Sequence, residues 1–180
     1  MWFGLTGRNA SGKTTVVEWL RQHGYKTTSC SDSIREWLRT EGMDITRENL
    51  IQGGRTLREQ GGPAILAEML RDSNSDVSDL VIDSIRTPAE VEALREHPDF
   101  RLIEVRASRE IRWKRLQERG RDGDPSTYEE FVRQEDAELV AKDESGQALK
   151  ATAEMADIVI NNEGVSDELK AALEALLKPA

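Results

Sequence analysis

The chain has 180 residues, 37% hydrophobic and 33% charged, which suits one core in a single domain over 1–180 and excludes a disordered chain. Its formal net charge of −9 makes duplex nucleic acid a poor partner, and no stretch approaches the roughly 18 apolar residues of a membrane span. The lone cysteine, Cys30, excludes an intrachain disulfide; with an N-terminus too polar for a signal peptide, it points to the cytoplasm.

Trp2 to Thr6 is a short apolar run that predicts a buried strand. A glycine-rich turn follows. Thr14 to His23 reads as a helix, with Val16, Val17 and Leu20 on its apolar side and Gly24 placed to end it. A second strand is expected over Tyr25 to Ser29. Ser31 to Arg39 predicts a helix with Ile34, Trp37 and Leu38 on one side, capped by Ser31 or Asp32. Thr46 to Glu59 predicts another, with Thr46 and Asn49 as candidate caps; Gly53 and Gly54 each weaken it by ~1 kcal/mol relative to alanine. Pro63 is expected in the first turn of a helix through Leu70, and Arg71 to Asp79 reads as a polar loop.

Leu80-Val81-Ile82-Asp83 has the continuous apolar character of an interior parallel strand, closed by an acid. Pro88 opens a helix ending near His97. Phe100 to Val105 predicts the next strand, and Arg109 to Arg119 a basic helix. Between Ser108 and Arg121, six basic residues against two acidic ones make a +4 segment, which leaves −13 on the rest of the chain. That contrast fits a small polyanion or a solvated basic face. Gly120 to Ser126 is a charged loop, Tyr128 to Val140 a helix, and Asp157 to Asn162 a last strand. Asp167 to Leu177 closes the chain as a helix, with Leu169, Leu173, Leu176 and Leu177 as its buried stripe. Strands that alternate with helices predict an α/β fold with a parallel sheet covered on both faces.

Chemistry concentrates at Gly7-Arg8-Asn9-Ala10-Ser11-Gly12-Lys13-Thr14, followed by Thr15. This GxxxxGK[ST] spacing lies between a strand and a helix, the context a phosphate loop needs. Glycines let the backbone curl so that successive N–H groups face phosphate oxygens, and the helix adds its positive end. Lys13 can reach the terminal phosphates, and the Thr14 hydroxyl can ligate magnesium. ATP and Mg²⁺ are therefore the expected ligands. Asp83 ends the third strand at the edge where open parallel sheets bind ligands, and is a second metal candidate. Asp32, at the same edge, can orient or deprotonate an acceptor hydroxyl, and Arg35 one turn on can hold an anionic group. Arg119 and Arg121 enter a Gly-Asp-Gly loop and can close over phosphates. Two scattered histidines and one cysteine give no zinc site. Cys30 reads as a packed residue, and so do the tryptophans, with Trp37 and Trp113 open as base-stacking groups.

The series GRNASGKTT, SCSDSIREW, VIDSIR, WKRLQERGR and ADIVINNEG resembles the dephospho-CoA kinase-like branch of the P-loop nucleoside-monophosphate kinases, including archaeal nucleotide-kinase-like proteins and deoxynucleotide monophosphate kinases. The resemblance implies a three-layer α/β/α fold with a mainly five-stranded parallel sheet. It implies an acceptor-binding helical region over about 31–71 and a lid over about 119–126. By that likeness Asp32 and Arg35 face the acceptor, with Arg58 and Arg86 as further phosphate candidates. Arg119 is the lid arginine, and Asn161 and Asn162 lie near the adenine. Dephospho-CoA kinases carry Asp-x-Asp where this chain has Cys30-Ser31-Asp32. The implied activity is an ATP-dependent kinase of a (deoxy)nucleoside monophosphate, with dephospho-CoA kinase and a nucleotide-sensing module as alternatives. The implied partner is a small nucleotide acceptor, and the implied state a monomer or homodimer.

Overall fold

The structure is a computed structural model that describes residues 1–120, 124–139, 148–164 and 166–177. Five strands, β1 (Trp2–Thr6), β2 (Lys26–Ser29), β3 (Leu80–Asp83), β4 (Phe100–Arg106) and β5 (Ile158–Asn161), form one parallel sheet in the order β2-β3-β1-β4-β5. Their register places Gly4 beside Ile82 on one side and Thr6 beside Glu104 on the other. The helices are α1 (Lys13–Gln22), α2 (Cys30–Thr40), α3 (Arg47–Gly61), α4 (Ile65–Ser73), α5 (Pro88–Leu94), α6 (Arg109–Arg119), α7 (Tyr128–Leu139), α8 (Leu149–Glu154) and α9 (Ser166–Leu176).

Alternation along the central strands divides the core into two layers. Trp2, Leu80, Ile82, Phe100 and Leu102 face α2, α4 and α5, where they meet Ile34, Leu38, Leu66, Leu70 and Val91. Phe3, Leu5, Val81, Ile103 and Val105 face the other way, against Val16 and Leu20 of α1 and Leu173 of α9. Every residue of β1 is buried, as an interior parallel strand requires.

Local chemistry explains the boundaries. Thr46 caps α3 by accepting the Asn49 amide at 3.1 Å. A full capping box at Thr87 and Glu90 starts α5, with Pro88 in its first turn. The cap of α2 differs from expectation. Ser29 accepts the Asp32 amide at 3.2 Å, so the helix begins at Cys30 and neither Ser31 nor Asp32 is its cap. Pro63 lies ahead of α4, which begins at Ile65 and runs through Ser73, into the stretch expected as loop. Helix α8 has no counterpart in the sequence reading, and Leu177 is 37% exposed, outside the buried stripe of the last helix. Val140, expected at the end of α7, lies outside the described residues.

Gly53 and Gly54 weaken α3 as an isolated helix, yet packing needs them. A Cβ at Gly53 would lie 3.0 Å from Ile34 and 3.2 Å from Trp37, so the absent side chain lets α2 and α3 approach. Trp37 is thereby packed between helices. Trp113 packs against Phe131 and Tyr128. No helix among the described residues is long and apolar enough to cross a membrane.

Candidate functional site: a braced phosphate loop and its surroundings

Between β1 and α1 the backbone turns back on itself. Gly7, Ala10 and Gly12 have φ values of +132°, +60° and +99°, and the Ser11 amide donates to the Arg8 carbonyl at 3.2 Å. Side chains are excluded at both glycines. A Cβ on Gly7 would lie 2.4 Å from the Val105 carbonyl oxygen, and one on Gly12 would lie 1.9 Å from Asn162 Nδ2. The curl ends at Lys13, the first residue of α1, which has no side-chain cap; its Thr15 and Val16 amides donate to the Gly12 carbonyl at 3.0 and 3.4 Å. Lys13 Nζ donates to the Gly7 and Arg8 carbonyls at 2.8 and 3.0 Å. Thr14 and Thr15 are exposed on the first turn. Ser11 Oγ is buried without a hydrogen-bond partner. A tight loop, an orphaned hydroxyl and a lysine folded across the curl together fit a phosphate cradle.

Two side chains hold this loop from behind. Arg115, on α6, donates from Nη1 to the Ala10 and Ser11 carbonyls at 3.3 and 3.2 Å. Its Nη2 donates to Asn162 O and Oδ1 at 2.9 and 3.1 Å. Asn162 is buried and donates from Nδ2 to the Ser11 carbonyl at 3.0 Å. The side chain expected beside adenine is thus engaged on both its amide atoms in bracing the loop, while Asn161 is exposed at the end of β5. In the sequence, Arg115 stands out only as one member of a basic cluster. Its i,i+4 spacing from Arg119 was the signal, since both reach the loop from one helix face. Arg119 donates to Asn9 Oδ1 at 3.2 Å and forks onto Asp124 at 2.6 and 2.8 Å. Hydrogen bonding to Asp124 pushes the Arg119 pKa up. Arg121 lies outside the described residues.

Asp83, Asp32, Arg35, Arg58 and Arg86 come from the neighbouring strand ends and helices. Asp83 ends β3, half-buried, and its Oδ1 accepts the Ser84 amide at 2.6 Å. Ser84 itself has φ +67°. With Ala10 it makes the two positive-φ non-glycine residues among the described ones, and strain of this kind clusters at functional sites. Asp32 and Arg35 form an exposed i,i+3 ion pair at 3.0 Å on α2. Arg58 is buried and pairs with the fully buried Glu90 at 2.7 Å, leaving its Nε without a partner. Glu90 also accepts the Arg86 and Thr87 amides at 2.8 and 3.2 Å. One carboxylate therefore fixes both Arg58 and the turn after Asp83. Cys30 lies within the field of Glu90, Arg58, Asp83 and Arg86, and burial, followed by the Glu90 charge, pushes its thiol well above the ordinary range.

A second ionic cluster flanks the loop. Glu135 of α7 is buried and contacts Arg8 at 3.5 Å, Arg109 at 3.0 Å and Arg112. Burial, then the charges of Arg8 and Arg109, lower the Arg112 pKa to about 10, while the charges of Glu110 and Glu163 oppose that change. Among the described residues no group of three or more His, Cys, Asp or Glu could hold a metal by itself.

This sheet order, curled loop and helix define a P-loop protein of kinase-like fold. The AAA domain family matches residues 4–141. A UPF0200 protein of Hyperthermus butylicus is 31% identical over 175 residues, covering 96% of this chain and 91% of that one. Among solved structures, an unliganded sugar kinase from Janibacter superposes with a TM-score of 0.55 at 20% identity, covering 97% of this chain and 93% of the other. Shikimate kinase from Aquifex aeolicus does so with 0.54 at 18% identity, covering 98% and 96%. At those identities the likeness is one of fold. The chain belongs to the AAA domain family and to the UPF0200 proteins within its sequence relatives.

Proposed function

We propose that the protein is an ATP-dependent phosphotransferase acting on a nucleotide-like acceptor, most simply a (deoxy)nucleoside monophosphate. The observation that carries this reading is the curled, braced loop with Lys13 folded across it, beside Asp83 at the same sheet edge. In this reading the loop amides and Lys13 bind the ATP phosphates. Magnesium would be held by Thr14 and Asp83, oxygen donors of the kind a hard cation takes, and would polarise the phosphates when bound. Asp32 orients the acceptor hydroxyl or phosphate. Arg35, Arg58 and Arg86 hold the acceptor, and the unpartnered Nε of Arg58 is the donor best suited to an incoming anion. Arg119 exchanges Asp124 for the transferring phosphoryl group. Positioning and electrostatics do most of the chemical work.

The test is a coupled assay of ADP release against ribo- and deoxynucleoside monophosphates, dephospho-CoA and shikimate. Shikimate belongs in the panel because a shikimate kinase solved with shikimate shares the fold, with a TM-score of 0.57 at 16% identity. Acceptor-dependent turnover abolished by Lys13→Ala supports the reading. No stimulation by any acceptor, with ATP bound, would sink it.

A further inference from the structure

On the α8 side of β1 and β4 a cavity of about 220 Å³ adjoins the start of the loop, lined by Gly7, Arg8, Glu104, Arg106, Lys150 and Glu154. Gly7 and Arg8 belong to the loop; the other lining residues have no part in the reading above. Glu104 and Arg106 neutralise each other at 2.6 Å. Arg8 and Lys150 are different. Arg8 makes a single long ion pair, 3.5 Å to Glu135, and its guanidinium donates no hydrogen bond among the described residues. Glu135 also serves Arg109 and Arg112, at shorter range than Arg8, with Asp136 as a second carboxylate 3.7 Å from Arg109 alone. Lys150 has no ion pair or side-chain hydrogen bond among the described residues. Glu154, four residues along α8, is likewise unpaired and gives the cavity one acidic wall.

Two cations with unused donors and one free carboxylate suit a ligand with an anionic group and a hydroxyl or amino donor. The cavity lies on the Glu104 side of the loop and is tied to the Asp83 side through the start of α8. Gly7 follows β1 between the ends of β3 and β4, so Asp83 and Glu104 flank the loop from opposite sides. The Ala148 amide donates to the Arg86 carbonyl at 2.9 Å, tying the start of α8 to the turn that carries Asp83 and Arg86.

We propose that this cavity is an anion subsite of the phosphoryl acceptor: a hydroxylated phosphate or carboxylate whose anionic group is held between Arg8 and Lys150. The proposal rests on the phosphotransferase reading, and its test separates the two. Lys150→Glu reverses the charge at the rim, Ala153→Trp fills the cavity, and Lys170→Glu on α9 controls for the same change of net charge elsewhere. With shikimate set against its methyl ester, which keeps the accepting hydroxyl, only the anionic member is expected to be phosphorylated. Both cavity variants should raise the acceptor KM on the order of tenfold, leaving the ATP KM and Tm at wild-type values. Unchanged acceptor kinetics in both variants, or equal use of neutral acceptors, overturns the subsite and leaves the kinase reading standing. A second measurement needs no turnover. With the loop filled by the magnesium complex of a non-hydrolysable ATP analogue, calorimetric titration with inorganic phosphate should show millimolar binding that Lys150→Glu abolishes and Lys170→Glu retains. That result with an inactive acceptor panel keeps the subsite and removes the kinase. No phosphate binding by the loaded wild-type protein overturns the subsite.

Discussion

The phosphate loop and the α2–α3 face stand at one edge of one sheet, yet they are made of different materials. The loop is backbone. Its shape follows from positive φ at Gly7, Ala10 and Gly12, and Arg115 and Asn162 hold it by its carbonyl oxygens. The α2–α3 face is side chain. Its charge comes from an exposed pair, Asp32–Arg35, and a buried one, Arg58–Glu90. A backbone site keeps its shape when most of its side chains change; a side-chain site depends on each partner. The two regions should therefore fail in different ways when mutated.

The largest effect is expected on the side-chain region. Glu90→Ala removes the acid paired to the buried Arg58 guanidinium, and also two amide contacts of the turn after Asp83. Removing one partner of a buried pair costs about 3–5 kcal/mol. Urea unfolding should show that loss, while nucleotide binding to the residual folded protein changes little. A loss under about 1 kcal/mol would mean that Arg58 is solvated there and that the contrast is false. Lys13→Ala should behave in the opposite manner. Its side chain lies across the loop carbonyls, so stability should hold, while phosphoryl transfer falls by about 10²–10³-fold.

A middle-sized effect distinguishes two roles for Asn162. If it read adenine, Asn162→Ala would weaken ATP binding and spare GTP. As a brace, it should weaken every nucleoside triphosphate alike, by about 1–2 kcal/mol, because the Ser11 carbonyl and Arg115 each lose a partner. Calorimetry with both triphosphates decides between them, and Asn161→Ala, at an exposed position, serves as the control.

What was legible in the sequence follows the same division. Strands β1, β3 and β4 were readable because buried parallel strands carry apolar runs, and all five strands appear within a residue or so of expectation. The loop was readable because its conformational demands restrict residue type at fixed spacing. Helix α8 was not, since six residues, LKATAE, hold too little periodicity to register. The cap at Ser29 escaped because a strand residue and a helix cap overlap there. The partners Arg58–Glu90, Arg115–Asn162 and Arg8–Glu135 are 32, 47 and 127 residues apart, separations at which no local pattern selects one arginine over another. The arginines were visible as charges, and only the fold assigns them carboxylates and carbonyls.

The smallest effect tests the buried edge of the side-chain region through pH. Cys30 has its pKa raised well above 9.0 by burial first and by the Glu90 charge second. The folded state therefore keeps the thiol proton where the unfolded chain releases it. Such a group contributes stability that is fully present below the unfolded pKa near 9 and is lost as pH rises toward the folded one. Between those limits the slope approaches but does not exceed about 1.4 kcal/mol per pH unit. Urea midpoints measured at intervals from pH 8 to about 10 should fall for the wild type and fall less steeply for Cys30→Ala. Equal slopes in the two proteins would mean that the thiol is open to solvent, and would place water between Cys30 and the Arg58–Glu90 pair.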